Sequence, residues 1–253
     1  MINNKKILIL GAGGLLGSCL VTECLKRGGS VIAVDSDIER MNQRLATLGV
    51  DLSSDKLEIA ALNVTNDSDV KAFFSKLCAI DGVVNATYPR NKSYGAHFFD
   101  VTLDGFNDNL SLHLGSTFLL MQQCALYFKQ KEKPLSVVNI SSVYGVIAPR
   151  FEIYENTKMT MPVEYAAIKS ALLHLNKYVV AYVKDTRFRI NAVSPGGIFD
   201  NQPEEFLEAY KAYTNGKGML EVSGVIGAVL YFLSDESKYV TAQNLIVDDG
   251  FHL

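Results

Sequence analysis

The sequence has no run of basic residues, and its net charge is −3, so it lacks the electrostatic footprint of a nucleic-acid binder. No apolar stretch approaches the roughly 20 residues of a membrane span. The longest, VIGAVLYFL at 225–233, falls well short. The opening MINNKK leads into a short apolar run without a signal-peptide core, so no membrane association is expected. Cysteine is scarce: Cys19, Cys24, Cys78 and Cys124 show neither CxxC spacing nor the density of a secreted scaffold. They are expected to be buried thiols in a reducing compartment, which makes the chain cytoplasmic and predicts no metal site. Repeats, low-complexity tracts and linkers are also missing.

What remains is globular composition, 48% hydrophobic and 20% charged over 253 residues, read as one domain spanning 1–253 whose natural partners are small molecules. Strand-type runs alternate with helix-type segments: KILIL, SVIAVD, LEIAAL and DGVVNA in the first half, LSVVNIS, RFRINAV and NLIVDD in the second. The alternation predicts an α/β chain, a Rossmann-like doubly wound sheet of about seven parallel strands with helices on both faces. Long helices are expected near 104–130 and 162–184. The first is apolar on nearly every side, which suggests a homodimer or homotetramer formed through these two helices. Residues 146–162 and 195–218 carry loop chemistry after strand ends, where they would overhang the ligand crevice of such a sheet.

Between the first strand and its helix lies GAGGLLGS, Gly11 to Ser18. A glycine-rich turn there lets backbone N–H groups approach a pyrophosphate at the helix N-terminus. The next strand ends in Asp35, an acid placed to accept adenosine ribose hydroxyls and to repel a 2′-phosphate, favouring NAD. A helix-capping role for Asp35 is the alternative, with Ser36 and Asp37 also able to cap. Further on, Tyr165 and Lys169 in VEYAAIKSA are four residues apart and share a helix face. A tyrosine titrates near pH 10. A neighbouring ammonium favours its ionised form, so the pair reads as an acid/base and its tuner.

The ordered series of glycine loop, VVNAT at 83–87, NISSVYG at 139–145, YAAIK, INAVSPGGI at 190–198 and YVTAQNLIVDDG resembles the short-chain dehydrogenase/reductase family along essentially the whole chain. The resemblance implies an NAD-dependent oxidoreductase acting on CH–OH groups. Tyr165 would be the acid/base, Lys169 its modulator and Ser142 the holder of the substrate oxygen. Gly11, Gly14, Leu15, Leu16 and Gly17 would cradle the dinucleotide. Asn63 and Val64 would lie near adenine, Asn85 and Ala86 near the ribose, and Pro195, Gly196 and Ile198 beside the nicotinamide. The loop departs from the family's commonest spacing: Leu10 replaces a threonine, and Leu15 a glycine. His113 stands where the family has an asparagine on a proton path to the lysine, so it is either a relay or a satisfied helix histidine.

The stretch between Ser142 and Tyr165 is long and carries Arg150, Lys158 and two tyrosines, while Arg90 and Lys92 follow the fourth strand. Such a rim suits a phosphorylated or acidic, hydroxyl-rich ligand, with Arg90, Arg150 and Lys158 as substrate contacts. RFEIYENTKMTMPVEYAAIK followed by SPGGIFDNQPEEF resembles the bacterial flagellin-modification protein A group within the family. That resemblance implies work on a sugar derivative in synthesis of a nonulosonate of the legionaminic acid type. A general secondary-alcohol or oxoacyl reductase, or a catalytically silent dinucleotide binder, stands as the alternative.

Overall fold

A computed structural model describes residues 2–253. The strand-type runs become β1 (Lys6–Leu10), β2 (Ser30–Asp35), β3 (Leu57–Ala61), β4 (Gly82–Asn85), β5 (Leu135–Ile140), β6 (Phe188–Pro195) and β7 (Asn244–Val247). They form one sheet in the order β3-β2-β1-β4-β5-β6-β7, and every neighbouring pair is parallel. From β1 the chain winds outward to β3, then returns to the other side of β1 with β4. This reversal splays the connections apart and opens a crevice beyond the carboxyl ends of β1 and β4.

Side chains alternate across the sheet, and each set meets its own helices. Ile7 and Ile9 of β1 pack with α1 (Leu15–Lys26), α2 (Ile38–Thr47) and α8 (Ser223–Leu233). Leu8 and Leu10 face the opposite layer, α3 (Asp67–Lys76), α5 (Ser116–Lys131) and α6 (Val163–Val183). The VIGAVLYFL run is the body of α8, with Val225, Val229, Leu230, Phe232 and Leu233 buried against the sheet. Among the described residues, no helix is long and apolar enough to cross a membrane.

The structure corrects several expectations. The helix expected over 104–130 runs without interruption from Leu103 to Lys131, but α4 (Leu103–Asn109) passes into α5 through a wider π-helical turn at Leu110–Gly115. The widened turn carries His113 into the interior, where only 3% of it is exposed. The 195–218 segment is not all loop, because Glu204–Lys211 forms α7, an amphipathic helix that buries Phe206 and Tyr210. A 3-10 turn at Phe151–Tyr154 interrupts the 146–162 segment. Of the cysteines, all free, Cys24 and Cys124 are buried, but Cys19 is half-buried and Cys78 exposed. Cys78 follows α3 on a surface connection, so nothing covers its thiol.

A third, smaller apolar cluster sits apart from the two sheet layers. Val143, Tyr144, Ile153, Phe206, Tyr210 and Phe251 pack together beneath the two long segments. It is built from chain far apart in sequence, and it supports the substrate side of the crevice.

Candidate active site

The crevice has two adjoining chambers. One, of about 630 Å³, is lined by the glycine loop, Asp35, Asn63, Val64 and Ala86. The other, of about 670 Å³, is lined by Ser142, Tyr165, Lys169, Pro195, Gly196 and Ile198. Leu15, Leu16, Ala86, Thr87, Tyr88 and Asp200 line both, so the chambers are continuous.

The first chamber is shaped by backbone. Gly11 has φ +81°, and a β-carbon there would lie 2.7 Å from the Ala86 carbonyl oxygen. A β-carbon on Gly17 would fall 2.1 Å from the Gly11 oxygen, so only glycine lets α1 start this close to β1. Gly14, the N-cap of α1, offers no side chain to the helix's first N–H groups, which are left facing the chamber. Asp35 is 7% exposed and accepts from Gly13 N–H at 2.8 Å and Asp37 N–H at 3.1 Å. Capping of α2 falls instead to Asp37, which accepts from Arg40 N–H at 3.0 Å. Asp35 is thereby available to the chamber wall, with the Arg40 guanidinium 3.6 Å away. A bare-backbone cradle at a helix N-terminus, with a buried carboxylate beyond it, fits a pyrophosphate and an adenosine ribose.

In the second chamber α6 brings Tyr165 and Lys169 to the same wall, as their spacing predicts. Ser142, just past the end of β5, stands near enough to the Tyr165 hydroxyl to influence its titration and accepts Tyr144 N–H at 3.2 Å. Its neighbour Ser141 donates to the Lys169 carbonyl at 2.9 Å, which fixes the helix against the strand end. The Lys169 ammonium donates to the Ile140 carbonyl at 2.8 Å and lies 5.4 Å from the Tyr165 ring centroid. Burial raises the Tyr165 pKa above its ordinary value, and the nearby Ser142 hydroxyl opposes that rise. Burial also pushes Lys169 down to about 7. Both groups are driven toward their neutral forms, and added positive charge would be needed to reverse this for the phenol.

Other sequence-predicted residues separate. Lys158 lines the second chamber, but Arg90 lines the first, its guanidinium 5.2 Å from the Tyr88 ring centroid. Arg150 lines neither. Its guanidinium donates to the main-chain oxygens of Phe251 and Leu253, at 3.1 and 2.9 Å, and lies 4.6 Å from the Tyr213 ring centroid. It ties the 146–162 segment to the end of the chain through these two main-chain oxygens. Lys92 is exposed and outside both linings. Asn85 also faces away from the chambers. Its side chain donates to Asn139 at 3.2 Å and accepts from the Thr87 hydroxyl at 2.7 Å, bracing β4 against β5 while Ala86 forms the wall. His113 lies behind the site rather than in it. Burial, then the Lys169 charge, holds its imidazole down to about 2, so it is neutral.

Sequence reasoning missed Tyr88, Tyr94, Tyr210 and Met219, which give the second chamber much of its aromatic and apolar surface. Tyr88 could have been found from its position three residues past the end of β4, where segments overhang the crevice. Tyr210 depends on α7, which the loop assignment concealed. Its hydroxyl accepts Gly197 N–H at 2.6 Å.

A family profile described as enoyl-(acyl carrier protein) reductase matches residues 14–252. The chain belongs to the short-chain dehydrogenase/reductase family. As a member it is an oxidoreductase of the class that acts on CH–OH groups. Within the family it is 37% identical to post-translational flagellin modification protein A of Campylobacter coli, covering 100% of both chains. It is 25% identical to a 7alpha-hydroxysteroid dehydrogenase of Bacteroides fragilis, over 98% of this chain and 94% of that one. Among solved structures, a short-chain dehydrogenase from Leptospira borgpetersenii with bound NAD+ superposes with a TM-score of 0.87. That pair is 32% identical, with 100% of this chain and 94% of the other covered.

Proposed function

We propose that the protein is a cytoplasmic NAD(H)-dependent oxidoreductase that interconverts a secondary alcohol and a ketone on a sugar derivative, in synthesis of a nonulosonate used to modify flagellin or another surface glycan. The observation that carries the chemistry is the meeting of Ser142, Tyr165 and Lys169 on one wall of a chamber that opens into the glycine-loop cradle. NAD fits that cradle and would supply the hydride acceptor. Asp35 would take the adenosine ribose, the open N–H groups of α1 the pyrophosphate, and Pro195, Gly196 and Ile198 the nicotinamide side. When bound in its oxidised form, NAD would supply the added positive charge that favours the Tyr165 phenolate.

The chain's own residues divide the work. Ser142 holds the substrate oxygen through its hydroxyl, and Tyr165 takes the proton from that oxygen in oxidation and returns it in reduction. Lys169 orients and tunes the phenol from the buried side. Similarity to the Campylobacter coli protein supports the flagellin role, and the chamber supports a ring-shaped ligand. Tyrosine hydroxyls at positions 88, 94, 144, 154 and 210 stand among apolar side chains, with Lys158 as the cation. Such a lining suits the alternating faces and hydroxyls of a sugar, with an anionic group reaching Lys158.

The test is incubation of the protein with NAD, NADH or NADPH and a panel of hexose phosphates, amino-sugar phosphates and nucleotide sugars, read at the nicotinamide absorbance band. Response to one sugar class with NAD(H) is expected. Response only to oxoacyl thioesters or steroids would replace the sugar reading. Assembly into a homodimer or homotetramer is part of the same proposal. Phe118 and Leu126 on α5 and Tyr178 and Tyr182 on α6 are exposed, and light scattering should give a mass above that of one chain.

A further inference from the structure

Lys169 is 4% exposed although it stands at the edge of a large open chamber. The segment following β4 packs over that amine with Tyr88, and both residues line the chamber. The Tyr88 ring centroid is 5.6 Å from the Lys169 ammonium, and the ring meets Tyr165 edge-on at 5.6 Å. Behind Tyr88 the His113 ring, delivered by the π-helical turn, meets it edge-on at 5.1 Å. The Tyr88 hydroxyl bonds to that of Tyr94, and the Arg90 guanidinium lies 5.2 Å from the Tyr88 ring centroid. Tyr88 is itself 36% exposed, so one part of it meets solvent while another meets the lysine. This is the position of a wall.

We propose that Tyr88 is a positioning residue: its ring, braced by His113 and tied to Tyr94, keeps water off the Lys169 ammonium and so decides where that amine titrates. Two effects of the ring oppose each other. Attraction between a desolvated ammonium and an aromatic face favours the charged amine by roughly 1.5 pH units. Removal of water disfavours it by up to about 3–5 units in a fully buried site. Exclusion of water is the larger, in keeping with the downward displacement of Lys169. The titratable and charged groups around the amine are Tyr165 on its own helix, Tyr88 after β4 and His113 on the π-helical turn, with Arg90 against Tyr88. None of them is an acid at neutral pH, so none pulls the lysine back up.

The inference rests on Lys169 being the tuner of Tyr165, yet its test needs neither substrate nor cofactor. The full chain, labelled with ¹³C at lysine Cε, is titrated by NMR, with Lys169→Met assigning the signal. Wild type is expected to titrate near neutrality. Tyr88→Phe, which loses only the hydroxyl, should stay within about 0.3 unit of it, and Tyr88→Leu, which keeps an apolar plug, within about 0.5. Tyr88→Ala should move the midpoint up by at least about one unit as water returns. Should the alanine variant not fold by circular dichroism, Tyr88→Val gives the same readout with a smaller opening. A wild-type midpoint near that of free lysine, an unmoved midpoint in both truncations, or a rise in Tyr88→Leu equal to that in the truncations overturns the proposal. Failure here leaves the oxidoreductase reading standing, because that reading is tested by turnover.

Discussion

The two chambers of the crevice are made differently. The dinucleotide side is set by backbone: the ends of β1, β2 and β4, glycines whose β-carbons would collide with neighbouring carbonyls, and a helix start left open. The substrate side is set by side chains on three distant segments, held by a cluster separate from the sheet's two cores. A backbone cradle tolerates almost no change at its glycines and recognises what all dinucleotides share. A side-chain chamber can be retuned residue by residue, which is how one fold serves many substrates.

The contrast can be broken from either side. Phe251 is fully buried in the satellite cluster, stacked on Tyr210 with ring centroids 4.3 Å apart. Phe251→Ala should cost about 3–5 kcal/mol in urea unfolding. The folded variant should still bind NADH within about twofold of wild type by calorimetry, since the sheet end is untouched. Gly17→Ala should do the reverse, weakening NADH at least about 100-fold through forced movement of the turn. Arg150→Met removes the tie to Phe251 and Leu253 without touching either chamber. A rise in KM of about tenfold with kcat and NADH affinity near wild type is expected, equivalent to one charge-assisted hydrogen bond. An unchanged KM would show that the substrate wall does not depend on it.

The smallest effect belongs to His113, which sharpens the boundary between fold and site. Its folded-state pKa of about 2 lies below the value of 6.5 expected when unfolded. Between these values the unfolded chain binds a proton that the folded chain refuses. Stability attributable to this residue is therefore present above pH 6.5 and is lost as the pH falls toward 2. His113→Asn should lower the midpoint of acid unfolding by a few tenths of a pH unit to about one. A midpoint that does not move would mean that the imidazole is hydrated or paired in solution.

The same division governs what could be read from the amino-acid sequence. All seven strands were legible because buried parallel strands leave uninterrupted apolar runs between glycine and polar breaks. The glycine loop, Asp35, Tyr165 and Lys169 were legible because local spacing places them: a turn, a strand end, one helical turn; Ser142 was legible through the family resemblance. The partners of Arg150 and Asn85 were not legible, because residue type and sequence position do not reveal them. A cation in a substrate segment was spent on main-chain oxygens 101 and 103 residues away, and an asparagine at a strand end turned into the sheet. The π-helical turn before α5 was hidden by continuous helical periodicity, since it adds one residue without adding a helix breaker. Tyr88 and Tyr210 came to the chamber through tertiary packing that no local pattern reports.

The central claim is that the Tyr165 phenol, held by Ser142 and backed by Lys169, moves the substrate proton beside a bound nicotinamide. Tyr165→Phe deletes one oxygen and keeps the ring, so it tests that claim with the least disturbance. The account predicts NADH affinity within about twofold of wild type and a loss of turnover of about 10²–10⁴-fold on whichever sugar the wild type accepts. Turnover at the wild-type rate in this variant would contradict it.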